Sequence, residues 1–332
     1  MRSENSVPVT IITGFLGSGK TTVLNRLLRA PDLADSAVII NEFGEVSLDH
    51  LLIEQAIENA VLLKNGCICC TVRGDILDTI EELFRKRKTG ELPWFGRIAI
   101  ETTGLADPAP VVHTLTETSQ PCHLDGIVVT ADAMHVRDQL AHQAEARNQI
   151  AFADRILLTK TDLVTPEQAD AAERAVGAFH AAAPIRRVID GDVTPDDVFG
   201  LGVEQHPATW LRPAEHVHDH AHEHHHDHGG ITSTVLRASE PISGPALVLW
   251  LSSLLSLHGA DVPRLKGIAR IAGDGRPLVL QAVHHVLHRV VRLLPEAEQV
   301  WGGTGAEIVV IHHGLPEAGL RASFAAALHA DR

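Results

Sequence analysis

Val9-Thr10-Ile11-Ile12-Thr13-Gly14-Phe15-Leu16-Gly17-Ser18-Gly19-Lys20-Thr21-Thr22 decides the fold of this chain. The apolar run Val9–Thr13 reads as a buried strand. Gly14 to Thr21 matches G-x-x-x-x-G-K-[ST], and a helical pattern opens at Lys20 and runs to Arg29. Strand, glycine-rich turn and helix in that order form a phosphate-binding loop. Gly14, Gly17 and Gly19 let the backbone N–H groups around Ser18, Lys20, Thr21 and Thr22 turn inward onto phosphate oxygens. Lys20 reaches the β- and γ-phosphates, and the Thr21 hydroxyl ligates Mg²⁺.

The same alternation continues outward from this loop. Val9–Thr13, Ala37–Asn41, Ala60–Leu63, Arg97–Glu101, Gly126–Thr130 and Arg155–Thr159 read as buried strands. Helical patterns lie between or after them at Thr21–Arg29, Leu48–Glu58, Val72–Lys88, Pro110–Glu117, Val136–Phe152 and Pro166–His180. Near-continuous apolar strands separated by helices predict a doubly wound, mainly parallel α/β sheet covered on both faces. This unit is expected over residues 1–205, with a linker over 206–230 and a smaller α+β domain over 231–332. In that last stretch Ile231–Ala238, Arg264–Ala272, Pro277–Val283, His288–Leu293 and Glu307–His312 read as strands. Pro245–Leu257 and Pro316–His329 read as helices.

Two strand ends suggest which nucleotide is bound. Thr159-Lys160-Thr161-Asp162 is close to N-K-x-D, with Thr in the place of Asn. The Asp162 carboxylate can accept from guanine N1–H and the exocyclic amine, a pair that adenine lacks, and Lys160 can lie along the base. GTP is therefore expected over ATP. Glu101-Thr102-Thr103-Gly104 follows another strand. Glu101 is placed to hold Mg²⁺ through water, and the Gly104 amide to meet the γ-phosphate.

Metal-binding residues gather in two places. Gly66-Cys67-Ile68-Cys69-Cys70 holds three of the four cysteines. Residues two apart in extended backbone face the same way, so Cys67 and Cys69 can share an ion. Cys70 lies beside Thr71, read as the N-cap of the helix Val72–Lys88, where a thiolate is favoured. Thiolates suit Zn²⁺, and also Co²⁺ or Cu⁺. A closed structural zinc site takes four ligands, so three thiols suit transfer better than scaffolding. Redox-active vicinal thiols and inert buried cysteines are the alternatives. In Asn41-Glu42-Phe43-Gly44-Glu45, Glu42 can complete the thiol site, and Asp49 can contact Mg²⁺ or the attacking water. Cys122 stands alone and reads as a small hydrophobe.

Eight of the fourteen residues from Glu215 to His228 are His. His218, His220, His222, His224, His225, His226 and His228 alternate largely with acids and small residues and offer many weak, exchangeable metal sites. Such a composition builds no packed core.

Composition narrows the partners. The 332 residues carry 28 Lys and Arg against 42 Asp and Glu, a net charge of −14, with 45% hydrophobic residues. No basic stretch offers a phosphate-backbone footprint, which argues against nucleic acid. The acidic balance suits attraction of metal cations. No window reaches the ~18 apolar residues a membrane span needs, and the N-terminus shows no signal peptide. Vicinal thiols fit a reducing compartment, so a cytoplasmic protein is expected. A homo-oligomer is allowed and not required.

Together these residues resemble the CobW-like metallochaperone GTPases, relatives of the nickel-insertion GTPases for urease and hydrogenase. The resemblance rests on Gly14–Thr21, Asn41–Glu45, Gly66–Cys70, Glu101–Gly104 and Thr159–Asp162, and extends through the His-rich linker to Arg264-Leu265-Lys266-Gly267. It implies a P-loop NTPase fold and slow GTP hydrolysis coupled to delivery of a divalent metal, most often zinc, to a client metalloprotein. Relatives serve cobalt in cobalamin synthesis or metal insertion into nitrile hydratase. A zinc buffer built on the His tract and the thiols is a rival from another class. A P-loop small-molecule kinase is a second, and no substrate base or lid supports it.

Overall fold

A computed structural model describes residues 6–28, 35–41, 61–62, 68–72, 75–180, 182–202, 231–288 and 290–329. The chain divides into two compact units. One comprises Arg2–Arg174 with Ile185–Leu201; the other comprises Met1, Ala175–Pro184 and Gly202–Arg332.

The first unit is built on a sheet whose strands are β1 (Val7–Gly14), β2 (Ser36–Asn41), β3 (Val61–Leu62), β4 (Ile68–Val72), β5 (Arg97–Glu101), β6 (Cys122–Asp132), β7 (Arg155–Thr159) and β8 (Ile185–Arg187). Their order is β3-β4-β2-β5-β1-β6-β7-β8. Every pair is parallel except β3 with β4. Val9, Ile11, Ile12, Ile98, Ala99, Ile100, Ile127 and Val128 are fully buried, as strands covered on both faces require. The helix after the phosphate loop, α1 (Lys20–Leu27), turns Val23, Leu24 and Leu27 onto Ile12, Val38, Ile40 and Ala99. One row of backbone partners crosses the sheet: Cys70 pairs with Ile39, Ile39 with Ile100, and Ile100 with Ile11.

Local chemistry explains where helices begin. In α2 (Ile76–Thr89) the Asp75 carboxylate accepts from the Leu77 amide at 2.8 Å. In α3 (Pro108–Glu117) Asp107 caps the Ala109 amide and Pro108 takes the first turn, where its missing N–H costs nothing. The expected helix Val72–Lys88 is corrected accordingly. It starts at Ile76, and Thr71 is not its cap, because Ile68–Val72 pairs with β2 as a strand. Asp75, three residues beyond that strand, supplies the cap. The expected single helix Val136–Phe152 is two, α4 (Val136–His142) and α5 (Ala144–Ala151), separated by Gln143 in extended backbone. The Arg147 guanidinium donates to the Leu140 and Ala141 carbonyls at 3.0 and 3.3 Å, satisfying acceptors that the break would orphan. After β7, α6 (Pro166–Phe179) agrees closely with expectation, and a short α7 (Pro195–Val198) closes the unit. The expected helix Leu48–Glu58 lies outside the described residues.

The second unit is α+β with an antiparallel sheet, as the pattern of strands without crossover helices suggests. Its strands are β9 (Ile231–Ala238), β10 (Arg264–Ala269), β11 (Leu278–Val283), β12 (Val286–Leu287), β13 (Val291–Arg292) and β14 (Ala306–His313). They run in the order β12-β11-β10-β14-β9, with β13 also on β11. Helices α8 (Gly244–His258) and α10 (Glu317–His329) pack on one face, where Trp250 meets Phe324 edge-on at 5.0 Å among Leu251, Leu254, Leu265, Ile308 and Val310. The expected strand His288–Leu293 shrinks to Val291–Arg292. Next comes a helix not anticipated, α9 (Pro295–Trp301), with proline in its first turn and Glu296 and Glu298 on its positive end.

Candidate functional site: a phosphate cradle at the carboxyl edge of the parallel sheet

The carboxyl ends of β1, β5, β6 and β7 converge on the loop Gly14–Lys20. Gly14 shows why no side chain fits there: at φ 145° an added Cβ would stand 2.4 Å from the Thr130 carbonyl oxygen and its Oγ1. The loop is pinned from beneath. Ser18 Oγ and Thr130 Oγ1 share a hydrogen bond of 2.6 Å, and the Thr159 hydroxyl donates to the Ser18 carbonyl at 2.7 Å and the Ala131 carbonyl at 3.2 Å. Lys20, largely buried, donates to the Gly14 and Phe15 carbonyls at 2.8 and 3.2 Å. Its ammonium is thus folded over a loop rich in backbone N–H groups, a cationic cradle for phosphate. Gly17 and Gly19 take left-handed backbone within the loop, and Thr21 and Thr22 occupy the first turn of α1.

Glu101 meets this loop from β5. Thr21 Oγ1 donates to Glu101 Oε1 at 3.0 Å, and Glu101 is 5% exposed. A hydroxyl and a carboxylate beside a phosphate cradle are hard oxygen donors, the set that Mg²⁺ takes. Past Glu101, the Thr102 hydroxyl donates to Thr13 Oγ1 at 2.7 Å, and its amide donates to the Ile12 carbonyl at 3.0 Å. Gly104 then packs directly on the phosphate loop. A Cβ there would lie 2.8 Å from Leu16 Cα and 2.6 Å from Leu16 Cδ2.

A second corner forms at the ends of β6 and β7. Lys160 adopts left-handed backbone (φ 57°), uncommon for a residue with a side chain. Lys160 Nζ donates to Asp132 Oδ2 at 2.8 Å, His135 Nδ1 lies 3.0 Å from the same oxygen, and the Met134 amide donates to Oδ1 at 2.8 Å. Burial alone would raise the Asp132 pKa. The hydrogen bonds from Lys160, His135 and the Met134 amide outweigh it and hold the carboxyl below the ordinary carboxylate range. Asp162 stands exposed in the single turn Thr161–Leu163 that Lys160 opens.

The expected nucleotide residues Gly14, Gly17, Ser18, Gly19, Lys20, Thr21, Thr22, Glu101, Gly104, Thr159, Lys160 and Asp162 therefore lie along one edge. Thr159 differs from the others in situation. Its hydroxyl is committed to Ser18 and Ala131, and the residue is buried beneath the loop. Asp132, Thr130 and Gln149 were not singled out from sequence. Asp132 and Thr130 at the end of an apolar strand were a readable signal; Gln149, inside a helix, gave none. Of the metal residues, Cys69 and Cys70 lie in β4, their backbones paired with Val38 and Ile39. Glu42, Asp49, Cys67, His218, His220, His222, His224, His225, His226 and His228 lie outside the described residues. Cys122 is a free thiol, which burial pushes up to about 11. Among the described residues no helix is long and apolar enough to cross a membrane.

Residues 8–187 match the family model for the CobW/HypB/UreG nucleotide-binding domain, and residues 231–328 match that for the cobalamin synthesis protein cobW C-terminal domain. The chain is 32% identical to the zinc chaperone YjiA of Escherichia coli strain K12, over 97% of this chain and 98% of that protein. It is 30% identical to the zinc chaperone CobW of a Sinorhizobium species, over 98% of each. The crystal structure of the Zn(II)-bound YjiA GTPase from E. coli superimposes with a TM-score of 0.71 at 29% identity, covering 97% of this chain and 99% of that one.

Proposed function

Because the chain belongs to the CobW family of nucleotide-binding proteins, we propose that it is a GTPase metallochaperone that binds zinc at Cys67, Cys69 and Cys70 and hands it to a client metalloprotein. The observation that carries this reading is the adjacency of the cysteine strand to the nucleotide machinery. β4, with Cys69 and Cys70, pairs with β2, and β2 pairs with β5, whose last residue is Glu101. β2 ends at Asn41, and Glu42-Phe43-Gly44-Glu45 follow it in sequence, so the strand between the cysteine strand and β5 runs straight into the acidic motif.

Each residue then has a task. The loop amides and Lys20 bind the triphosphate. Thr21 and Glu101 would hold Mg²⁺, which when bound would neutralise charge on the phosphates. Lys160 and Asp162 read guanine, and Thr159 braces the loop from below. Gly104 meets the γ-phosphate, Asp49 contacts Mg²⁺ or the attacking water, and Glu42 closes on the thiolates when GTP is present. Hydrolysis releases that closure, and the metal passes on. His218, His220, His222, His224, His225, His226 and His228 supply weak sites that feed the tight one. Co²⁺ is the alternative cargo.

Linkage fixes the test. If GTP tightens metal binding, metal tightens GTP binding by the same factor. Zinc titrated with and without a non-hydrolysable GTP analogue should show a higher affinity with the analogue, and Cys69→Ser should abolish the difference. Equal affinities in the two titrations sink the coupling. A zinc buffer is the second reading, favoured by the eight His of residues 215–228. Deleting that segment removes most capacity from a buffer and leaves a chaperone its tight site.

A further inference from the structure

Gln149 lies on α5, 1% exposed, and its side chain reaches the loop that follows β5. Nε2 donates to the Gly104 carbonyl at 3.2 Å and to the Ala106 carbonyl at 3.0 Å. Two carbonyl partners use both amide hydrogens and fix which end of the side chain is nitrogen. Oε1 is buried and has no hydrogen-bond partner among the described residues. A buried acceptor without a donor destabilises the fold, so the residue's value at this position lies in its NH₂ group.

The loop it holds has little freedom. On one side Gly104 is pressed against Leu16 of the phosphate loop; on the other Gln149 takes the carbonyls. The peptide between Gly104 and Leu105 is trans, so aiming the Gly104 carbonyl at α5 aims the Leu105 N–H away from it. The segment that carries Gln149 leaves β6 at Asp132, forms α4 and α5, and re-enters the sheet as β7. Asp132 and Lys160 join its two ends at 2.8 Å, and Asp154 Oδ2 accepts the Ile127 amide at 2.9 Å, closing its last turn onto β6. One continuous segment thus begins and ends at the base corner and reaches the Gly104 loop through the Gln149 side chain.

We infer that Gln149 is a positioning residue that holds the Gly104 loop in register for the third phosphate of the bound nucleotide, and so links the base corner to the γ-phosphate side. The inference rests on the reading of the chain as a GTPase. It predicts an effect confined to the triphosphate, because a diphosphate has no group for Gly104 to meet.

The test uses Gln149→Met, which keeps length and volume and loses both N–H groups. It also uses Gln149→Glu, which faces the two carbonyls with an acceptor and serves where the methionine variant does not fold. Affinities for GDP and for the non-hydrolysable analogue GMPPNP are measured with Mg²⁺, alongside GTP turnover and thermal midpoint. Losing two hydrogen bonds should weaken GMPPNP roughly tenfold and slow turnover at least as much. GDP affinity should stay at the wild-type value, which also certifies the fold. Equal losses for both nucleotides, as a packing role alone gives, or an unchanged GMPPNP-to-GDP ratio, overturn the assignment. A wild-type protein that binds neither guanine nucleotide overturns the GTPase reading beneath it.

Discussion

Lys160 and Asp132 are joined at 2.8 Å although 28 residues separate them in the chain. The lysine is one-third exposed and the carboxylate 3% exposed, so the pair has one wet end and one dry end. The dry end fixes the Lys160 ammonium, so the side-chain stem is held at both ends, two residues before the exposed Asp162. An anchored stem can form a wall for a planar base; a free one sweeps through solvent.

Asp132→Asn should weaken GDP by roughly tenfold and GMPPNP by at least as much, because it loosens the base corner at which the segment carrying Gln149 begins and ends. Since the Asp132 carboxyl is held below its ordinary value, its contribution is fully present above that ordinary value and is lost only as pH falls through the lower, folded one. The loss caused by the variant should therefore be constant between about pH 7.5 and 8.5. A fluorescent GDP analogue titrated across that range reads it, and a wild-type affinity in Asp132→Asn contradicts the argument.

Thr159→Val preserves shape and removes a hydroxyl that serves two buried carbonyls. Leaving those acceptors unmet should cost about 1–3 kcal/mol of stability. Urea unfolding followed by circular dichroism measures this. Bound GDP should restore less stability to the variant than to the wild type, because the Ser18 carbonyl is part of the cradle. If the variant is as stable as the wild type, the hydroxyl is not the brace.

Glu101→Gln keeps an oxygen for the Thr21 hydroxyl and removes the charge. Nucleotide affinity in the absence of Mg²⁺ should hold or improve, since a carboxylate near phosphate repels it. The gain in affinity that Mg²⁺ confers on the wild type should shrink by at least about tenfold, and GTP turnover should fall with it. Isothermal titration with and without Mg²⁺ separates the two effects.

The burial of His312 and His313 predicts a loss of stability in acid for the second unit. His312 is 1% exposed, with Nε2 at 3.0 Å from Thr234 Oγ1. Burial lowers the pKa of both imidazoles; for His312 the Glu317 charge opposes that shift and His313 adds to it, and for His313 Asp261 opposes and His284 adds. A histidine whose folded value lies below its unfolded one is stabilising at neutral pH. That stability is lost as pH falls below about 6.5, where the unfolded chain takes up protons first. Unfolding monitored by tryptophan fluorescence at pH 7.5 and 5.5 should show the decline, and His312→Gln should flatten it.

The α/β alternation was legible because parallel strands buried on both faces leave unmistakable apolar runs, as at Val9–Thr13 and Arg155–Thr159. The phosphate loop was legible because Gly14 has no room for a Cβ, a constraint that sequence records directly. Other features depend on tertiary pairing and left weaker traces. Ile68–Val72 reads locally as the approach to a helix, and only its partner β2 makes it a strand. The break at Gln143 becomes intelligible once Arg147 is seen to supply donors to the α4 carbonyls. Gln149 is one glutamine on a helix until the carbonyls of Gly104 and Ala106 are placed beside it.

The row Cys70–Ile39–Ile100–Ile11 doubles as a ruler. Three strand spacings separate the cysteine strand from the strand that enters the phosphate loop, about 14 Å. Two divalent ions at that separation would repel by about 1 kcal/mol at the dielectric of bulk water and by about 5 kcal/mol at the effective dielectric of a protein surface, less once salt screens them. On the proposed reading, direct repulsion would therefore work against joint occupancy by a nucleotide-bound cation and a thiolate-bound one, except as the phosphates and thiolates that hold them neutralise it. Coupling in which each ion tightens the other would then have to be carried by moving backbone, against that repulsion. With Mn²⁺ at one position and a second paramagnetic ion at the other, their dipolar coupling would report that movement as a change in distance through the catalytic cycle.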